Sequence, residues 1–169
     1  MADSAPTTTS TGNPSSRAGK YLTFALANEE YGVGILKVKE IIGIMDITQV
    51  PDMPEYAKGV VNLRGRVIPI IDLRLKFNMP AKEYDARTCI IVVEIAGAES
   101  EILIGIVVDS VSEVLSVSEE DTEPPPDFGL LTEKANILGM AKAGDKVKIL
   151  LDIDRVLSRE ELVALEEKS

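Results

Sequence analysis

The side-chain types that carry most enzyme chemistry are scarce in this sequence. It contains no histidine, which removes the commonest general base and metal ligand and makes a Ser–His or Cys–His catalytic pair impossible. Gly32-Val33-Gly34 lacks the third glycine and the following helix of a dinucleotide site, and no Walker-type phosphate loop occurs. Asp152 and Asp154 have no further carboxylates at a spacing suited to a metal ion. We therefore expect no catalytic residue, no cofactor and no metal site, and predict that the protein is not an enzyme.

One segment offers recognition chemistry instead, KGVVNLRGRVIPIIDLRLKF at residues 58–77. It predicts a β-hairpin whose Arg64-Gly65-Arg66 turn exposes two guanidinium groups, which bind carboxylates in a forked geometry. Ordinary surface charge would produce the same pattern, so the residues alone leave both interpretations open. Pro69 in the second strand predicts an edge, or a position where the missing amide proton has no acceptor to meet.

The overall charge limits the kinds of partner. With 18 basic and 28 acidic residues the net charge is -10, which repels phosphate backbones and acidic lipid surfaces. An oligonucleotide-binding barrel would need a basic groove with stacking aromatics, yet the chain has no Trp, three Phe and four Tyr. No apolar run is long enough to span a bilayer. We therefore expect no nucleic-acid ligand and no direct membrane insertion.

The N-terminal segment and the single cysteine indicate a cellular compartment. Residues 1–19 contain no Val, Leu, Ile or Phe, so they predict a disordered tail and not a signal peptide. Cys89 has no partner for a disulfide, which fits a reducing environment. We expect a cytoplasmic protein in which residues 20–169 form the folded domain.

The remaining chain has the pattern of an all-β protein. Short apolar segments rich in β-branched residues alternate with turn formers, and they predict strands at 21–27, 31–35, 59–63, 67–71, 88–95, 102–109, 111–117, 136–142 and 146–151. CIIVV and ILIGIVV are apolar throughout and predict strands covered on both faces. A short helix is predicted at 36–40. Ser158 and Glu161 form a capping box that begins a C-terminal amphipathic helix.

The two halves of the chain repeat one another. YGVGILKVKEII at 31–42 aligns with IGIVVDSVSEVL at 104–115, and VIPIIDL at 67–73 aligns with VKILLDI at 147–153. Residues 22–26 match 91–95, and PDM at 51–53 matches PDF at 126–128, always in the same order. The repeat predicts two barrels of about five strands each, the first at roughly 33–85 and the second at roughly 86–151, with the N-terminal strand and the C-terminal helix packed on them.

These motifs resemble the CheW family, whose members join bacterial chemoreceptors to the histidine kinase CheA. The resemblance runs from Tyr21 to about Leu165 through EEYGVGILKVKEI, VNLRGRVIPIIDLRLKF, GIVVDSVSEVL and KILLDIDRVLSREEL. It implies a fold of two intertwined five-stranded barrels of the SH3 or OB type, which agrees with the internal duplication. Gly34 and Cys89 depart from the family pattern, because many members carry a polar or acidic residue at the first position and an aliphatic residue at the second.

The resemblance also implies two sets of binding residues. Kinase binding would involve positions on the first barrel and in the PDF loop of the second: Val38, Glu40, Asp127 and Phe128. Receptor tips, which are helical hairpins, would occupy the groove between the barrels, formed by Arg64, Thr88, Cys89, Ile90, Gly105, Val111 and Val114.

The expected function is therefore that of an adaptor without catalytic activity. Its expected partners are the regulatory domain of CheA and the cytoplasmic tips of methyl-accepting chemoreceptors, with the protein monomeric alone and recruited to membrane receptor arrays. A scaffold of another chemosensory pathway is the alternative of the same class, and an oligonucleotide-binding barrel is the alternative of a different class.

Overall fold

The computed structural model describes residues 17–97, 99–124 and 137–168 and is built almost entirely from β-strands. In chain order the strands are β1 Gly19–Leu26, β2 Glu29–Gly34, β3 Val38–Gly43, β4 Ala57–Leu63, β5 Arg66–Asp72, β6 Cys89–Ala96, β7 Glu101–Val108, β8 Ser110–Val117, β9 Thr122–Glu123, β10 Ile137–Ala143 and β11 Lys146–Leu151. The helical elements are the 3-10 turns η1 Ile35–Lys37, η2 Glu119–Asp121 and η3 Ile153–Arg155, and the α-helices α1 Leu73–Lys76 and α2 Arg159–Lys168. The all-β class and the nine predicted strands are confirmed within the described residues; Asn136 lies outside them.

The strands form two sheets with matching connectivity. The five-stranded sheet, here called barrel one, has the order β3-β6-β7-β5-β4, and the six-stranded sheet, barrel two, has the order β8-β1-β2-β11-β10-β9. In the internal repeat, β3, β6, β7, β5 and β4 correspond to β8, β1, β2, β11 and β10. The strand order of barrel one, rewritten with these counterparts, is the order of the first five strands of barrel two. The duplication predicted from the sequence is therefore confirmed in the fold.

The irregularities of the strands repeat as well. Val38 pairs with Val93 and Val111 pairs with Phe24, and in both ladders the register shifts immediately afterwards. Gly59 and Gly139 occupy equivalent positions next to the bulges of the β4–β5 and β10–β11 hairpins. A bulge is a specific local deformation, so its recurrence at matched positions supports common descent of the halves more strongly than shared apolar runs do.

Each barrel contains strands from both halves of the chain. β6 and β7 join barrel one through the parallel β5–β7 ladder, while β1 and β2 join barrel two through the parallel β2–β11 ladder. The predicted division near residues 85 and 86 therefore does not separate the sheets, since the strands of residues 89–108 lie in barrel one. Strands of the second half lie in barrel one because β6 and β7 are apolar on both faces. Such strands need protein on each side to cover them, which a position between two sheets provides.

Each barrel is closed by the chain that continues beyond its edge strand. Thr48, downstream of β3, exchanges two backbone hydrogen bonds of 2.8 and 2.9 Å with Val60 of β4. In barrel two, β9 follows β8 and pairs with β10 at Met140 and Ala141. Gly59 has a φ of +139°, and a Cβ there would collide with the Thr48 carbonyl, so the closure of barrel one requires glycine.

The hydrophobic core has three parts. The main core lies between the barrels and draws on both sheets and on α2, with Phe24, Ile91 and Ile106 fully buried and Leu162 and Leu165 covering one side. A smaller cluster fills barrel one: Val61, Ile68, Ile70, Ile90, Val92 and Val107. A third fills barrel two: Tyr21, Val117, Ala141 and Leu150. Because the main core is shared, the barrels form one cooperative unit.

Two predictions at local level need correction. The helix predicted at 36–40 is wrong, because η1 ends at Lys37 and residues from Val38 onward form β3. The residues of β3 alternate between half-buried and exposed and pair with β6, and both features are typical of a strand. The tail predicted at 1–19 is too long, since β1 begins at Gly19 and Arg17 is held by the fold; residues 1–16 lie outside the described chain.

The C-terminal helix is confirmed together with its cap. The Ser158 amide donates to Glu161 Oε1 at 2.7 Å and the Glu161 amide donates to Ser158 Oγ at 3.1 Å. Glu161 also receives the Lys76 ammonium and the Tyr56 hydroxyl, which ties α2 to barrel one. Burial, followed by the hydrogen bond to the Glu161 carboxylate, raises the pKa of Tyr56 above its ordinary value.

Candidate functional site

The basic hairpin of barrel one is formed as the sequence predicts. Leu63 pairs with Arg66 across a two-residue turn in which Arg64 and Gly65 both have positive φ, at 52° and 88°. This conformation is that of a type I′ turn, whose twist matches the strands it joins. The Asn62 side chain accepts the Gly65 amide proton at 2.8 Å and fixes the turn. The result is an exposed Arg64 at the end of a rigid hairpin.

Arg64 does not stand free on the surface. Its guanidinium donates to Glu40 of β3, the strand at the far edge of the sheet from β4. The pair lies at the mouth of barrel one, beside a surface cavity of about 440 Å³. The family resemblance predicts kinase binding for Glu40 and receptor binding for Arg64, so the structure brings together one residue from each predicted set.

The most exposed large apolar side chain among the described residues is one that sequence reasoning missed. Leu36, in the middle of η1, is 89% exposed. Val38, the apolar residue assigned to kinase binding, is only half-buried but packs against the main core. Nothing in the local sequence distinguishes these two residues, because their exposure depends on where the 3-10 turn ends and the strand begins. Leu36 is therefore the stronger apolar contact candidate on this side of barrel one.

The 3-10 turn that carries Leu36 is fixed on both sides. Ile35 packs against the main core, and Lys37 forms an ion pair of 2.7 Å with Asp154 of η3. Asp154 Oδ1 also accepts the amide proton of Ala96 at 2.9 Å. Leu36 thus projects from a short segment whose neighbours cannot move freely.

Besides the exposed Arg64, the predicted receptor residues separate into two groups by accessibility. Val114 is 52% exposed on β8, and Cys89 and Val111 are half-buried and pack against the main core. By contrast Thr88 is 4% exposed, Ile90 is fully buried and Gly105 is buried. Only the first group can touch a partner directly in this conformation, whereas the second shapes the surface from beneath.

Each buried member has an identifiable structural role. Thr88 Oγ1 accepts the Asp85 amide proton at 2.9 Å, which closes the turn that leads into β6. Gly105 allows β5 and β6 to approach β7, because a Cβ there would lie 2.7 Å from both Ile70 Cδ1 and Ile90 Cγ2. Ile90 fills barrel one. Asp127 and Phe128 lie outside the described residues.

The crossover from β7 to β8 is held by a second ion pair. Arg74 of α1 binds Asp109 through both oxygens, with Nε–Oδ1 at 2.8 Å and Nη2–Oδ2 at 2.7 Å. Asp109 Oδ2 also accepts the Ala27 amide proton at 2.9 Å. The guanidinium is the main cause of the lowered pKa of Asp109. An ion pair therefore holds each crossover between the barrels: the β7–β8 crossover, which precedes Val111 and Val114, and the β2–β3 crossover, which carries Leu36.

The described residues contain no group of three or more side chains able to hold a metal ion. Asp152 lies close to Asp154, and burial followed by that neighbouring charge raises its pKa. None of the helices in the described ranges has the length and apolar character needed to cross a bilayer.

Two interlocked barrels that share one core define a double β-barrel protein. The family profile of the CheW-like domain matches residues 20–161. The chemotaxis protein CheW of Klebsiella aerogenes is 42% identical over 147 residues, which cover 87% of this chain and 86% of that protein. The chemotaxis protein CheW of Rhizobium meliloti is 34% identical over 140 residues, covering 83% and 88%.

A solved structure gives the same result. The crystal structure of the scaffolding protein TtCheW from Thermoanaerobacter tengcongensis matches with a TM-score of 0.76 and 35% identity, over 86% of this chain and 98% of that chain. The chain belongs to the CheW family of chemotaxis adaptor proteins.

Proposed function

We propose that this protein couples chemoreceptors to the histidine kinase CheA by binding both at once, without catalysing a reaction. The observation that carries the proposal is the separation of two accessible surfaces on one rigid core. Leu36 projects from η1 at one crossover between the barrels, and Val114 lies on β8 beyond the other. Linking two binding events on one body raises the effective concentration of each partner for the other.

The Leu36 surface suits the kinase regulatory domain. An apolar side chain that is 89% exposed gains most from burial at an interface, and its supporting turn is already ordered, so little conformational entropy is lost on docking. Glu40 lies on β3, the strand that follows η1, and supplies a polar group for the rim of this surface.

The surface around Val114, Val111 and Cys89 suits a receptor tip. Val111 and Cys89 pack against the main core and Val114 is 52% exposed on β8, so they offer apolar area of the kind that an amphipathic helix buries in a groove. A receptor bound there would bring the protein to membrane receptor arrays, although the adaptor itself need not enter the membrane.

Two single substitutions test the assignment. Leu36→Glu should weaken binding of the CheA regulatory domain at least tenfold and leave binding of a receptor-tip fragment unchanged, because it places an unpaired charge in one interface only. Val114→Arg should have the opposite selectivity. Both binding constants can be measured by isothermal titration calorimetry.

The matched control is Val67→Glu, since Val67 is 54% exposed on β5 and belongs to neither surface. Its affinities for both partners should equal those of the unsubstituted protein. If Leu36→Glu binds the kinase domain normally, or if Val67→Glu is equally defective, the proposed division of the surface is wrong.

A further inference from the structure

The two crossovers between the barrels are secured by the same three groups with reversed polarity. In each case a carboxylate accepts the amide proton at the end of a strand and pairs with a cation. At the β7–β8 crossover the carboxylate, Asp109, lies on the crossover and the cation, Arg74, on the turn after β5. At the β2–β3 crossover the cation, Lys37, lies on the crossover and the carboxylate, Asp154, on the turn after β11.

The reversed positions of the charges indicate which feature the two crossovers share. The strand-end amides belong to Ala27 and Ala96, which occupy equivalent places at the ends of β1 and β6. In both halves of the chain an ion pair joins the crossover to a turn, but the positive and the negative residue have changed places. The common feature is therefore the ion pair, and not the identity of either residue.

The link at the β2–β3 crossover acts on a short 3-10 turn. Within η1, Ile35 packs against the main core, and the Val38 amide donates to the Ile35 carbonyl. On the other side of Leu36, the Lys37 ammonium forms its ion pair with Asp154 at 2.7 Å. Other charges lie nearby: Asp152 lies close to Asp154, and Arg155 Nε lies 3.7 Å from Asp152 Oδ2.

We propose that Asp154 is a positioning residue for kinase docking: by holding Lys37 it fixes η1 so that Leu36 is presented in its docking orientation. This inference rests on the proposed function, because it assumes that Leu36 contacts the kinase. It adds to the functional surface a residue that lies outside the β2–β3 crossover, in the 3-10 turn η3 that follows β11.

Asp154→Asn and Asp154→Lys test the proposal at two strengths. Asn keeps an oxygen for the Ala96 amide and removes the charge, so kinase affinity should fall about two- to fivefold, the range of a partly exposed ion pair. Lys repels Lys37 and should cause a larger loss. Affinity for the receptor-tip fragment should not change in either variant, which a general loss of folding would not produce.

The double variant Lys37→Asp with Asp154→Lys is the decisive rescue. It exchanges the two charges, so that the carboxylate lies on the crossover and the cation on the turn, as in the Arg74–Asp109 pair. Kinase affinity should recover most of the loss seen in Asp154→Lys, because the ion pair is restored. Lys82→Met, which removes the cation of the similarly exposed Lys82–Asp85 pair, is the matched control and should bind normally.

The outcomes separate this inference from the proposed function. If Leu36→Glu abolishes kinase binding but Asp154→Lys binds normally, Asp154 does not position the surface and only the inference fails. Equal losses of kinase and receptor affinity in Asp154→Asn, or a double variant as weak as Asp154→Lys, would also overturn it. If Leu36→Glu itself has no effect, the proposed function fails first.

Discussion

Arg64, at the tip of the β4–β5 hairpin, donates a hydrogen bond to Glu40 of β3 and so joins the two edges of barrel one. The contact also joins two surfaces that the family resemblance treats as separate. A change at the receptor side of Arg64 can alter the position of Glu40 directly, without any movement of the barrel core. The hydrogen bond to Glu40 raises the pKa of Arg64.

The first prediction concerns this pair. Arg64→Ala should weaken receptor-tip binding and Glu40→Ala should weaken kinase binding, while neither substitution lowers the melting temperature appreciably, because the pair is exposed. In a double-mutant cycle on kinase binding, the effects of the two substitutions should not be additive. Additive effects would mean that the two residues act independently, and a large fall in melting temperature for Arg64→Ala would make Arg64 structural.

The second prediction separates packing from contact at Gly105. Gly105→Ala should lower the free energy of unfolding by about 1–3 kcal/mol, because the new methyl group would overlap Ile70 and Ile90 in the filled interior of barrel one. Gly43→Ala, on β3 of the same sheet, should be nearly neutral, since no atom lies within 4 Å of the Cβ it would add. Urea denaturation of both variants gives the comparison. Similar stabilities for the two would refute the packing role.

The third prediction uses Cys89 as a reporter of the receptor surface. Its thiol is half-buried, its Sγ lies 3.4 Å from the Arg87 carbonyl oxygen, and it packs against the main core. Maleimide labelling should therefore be slow in the free protein and slower still with a receptor-tip fragment bound. Cys89→Val should keep both binding activities, because size and apolarity are preserved. Labelling that is unaffected by saturating fragment would remove Cys89 from the receptor surface.

The fourth prediction concerns pH and the Arg74–Asp109 pair. Because the folded pKa of Asp109 lies below its ordinary value of 3.8, the stabilisation is complete above that value and is lost as pH falls through the lowered pKa. Arg74→Met should cost about 1.5–3 kcal/mol at pH 6 and distinctly less at pH 3. Denaturant titrations at the two pH values measure the difference. A cost independent of pH would show that the loss comes from packing.

The fifth prediction concerns the start of β1. Arg17 Nε donates to the Leu138 carbonyl at 3.1 Å, and the Tyr21 hydroxyl donates to the Arg17 carbonyl at 2.7 Å. Removing residues 2–18 should therefore lower the free energy of unfolding by about 1–2 kcal/mol, whereas removing residues 2–16 should leave it unchanged. If both truncations are neutral, the contacts of Arg17 contribute nothing measurable to stability.

The sequence predicts the fold well where the signal is local or repeated. β-branched runs locate the strands, Ser158 and Glu161 locate the C-terminal helix, and the ordered repeat predicts two barrels. The helix predicted at 36–40 fails because a six-residue strand and a helical turn have similar composition, and the ladder with β6 decides between them. The exchange of strands between the halves could not be predicted from local sequence patterns either, because it depends on which sheet covers β6 and β7.

The exposed turn at Arg64 could be predicted from the sequence, but the accessibility of the other candidate binding residues could not. The motif around Arg64 identifies an exposed turn, and the structure confirms that turn. Whether a residue such as Thr88 or Ile90 touches solvent depends on neighbours far away along the chain, so sequence cannot separate surface residues from supporting ones. Leu36 was missed for the same reason: its exposure results from the crossover geometry and not from its neighbours in sequence.

The exchange of strands between the barrels has a consequence for the origin of the protein. A single copy of the repeat would carry two strands, equivalent to β1 and β2, that its own remaining strands leave unpaired. Two identical copies could satisfy one another by trading those strands, which is the arrangement of a domain-swapped homodimer. Gene fusion would then have turned an obligate pair into one chain and freed each half to diverge. The opposite signs of the two crossover links would be a trace of that divergence, since a symmetric ancestor would have needed the same polarity on both sides.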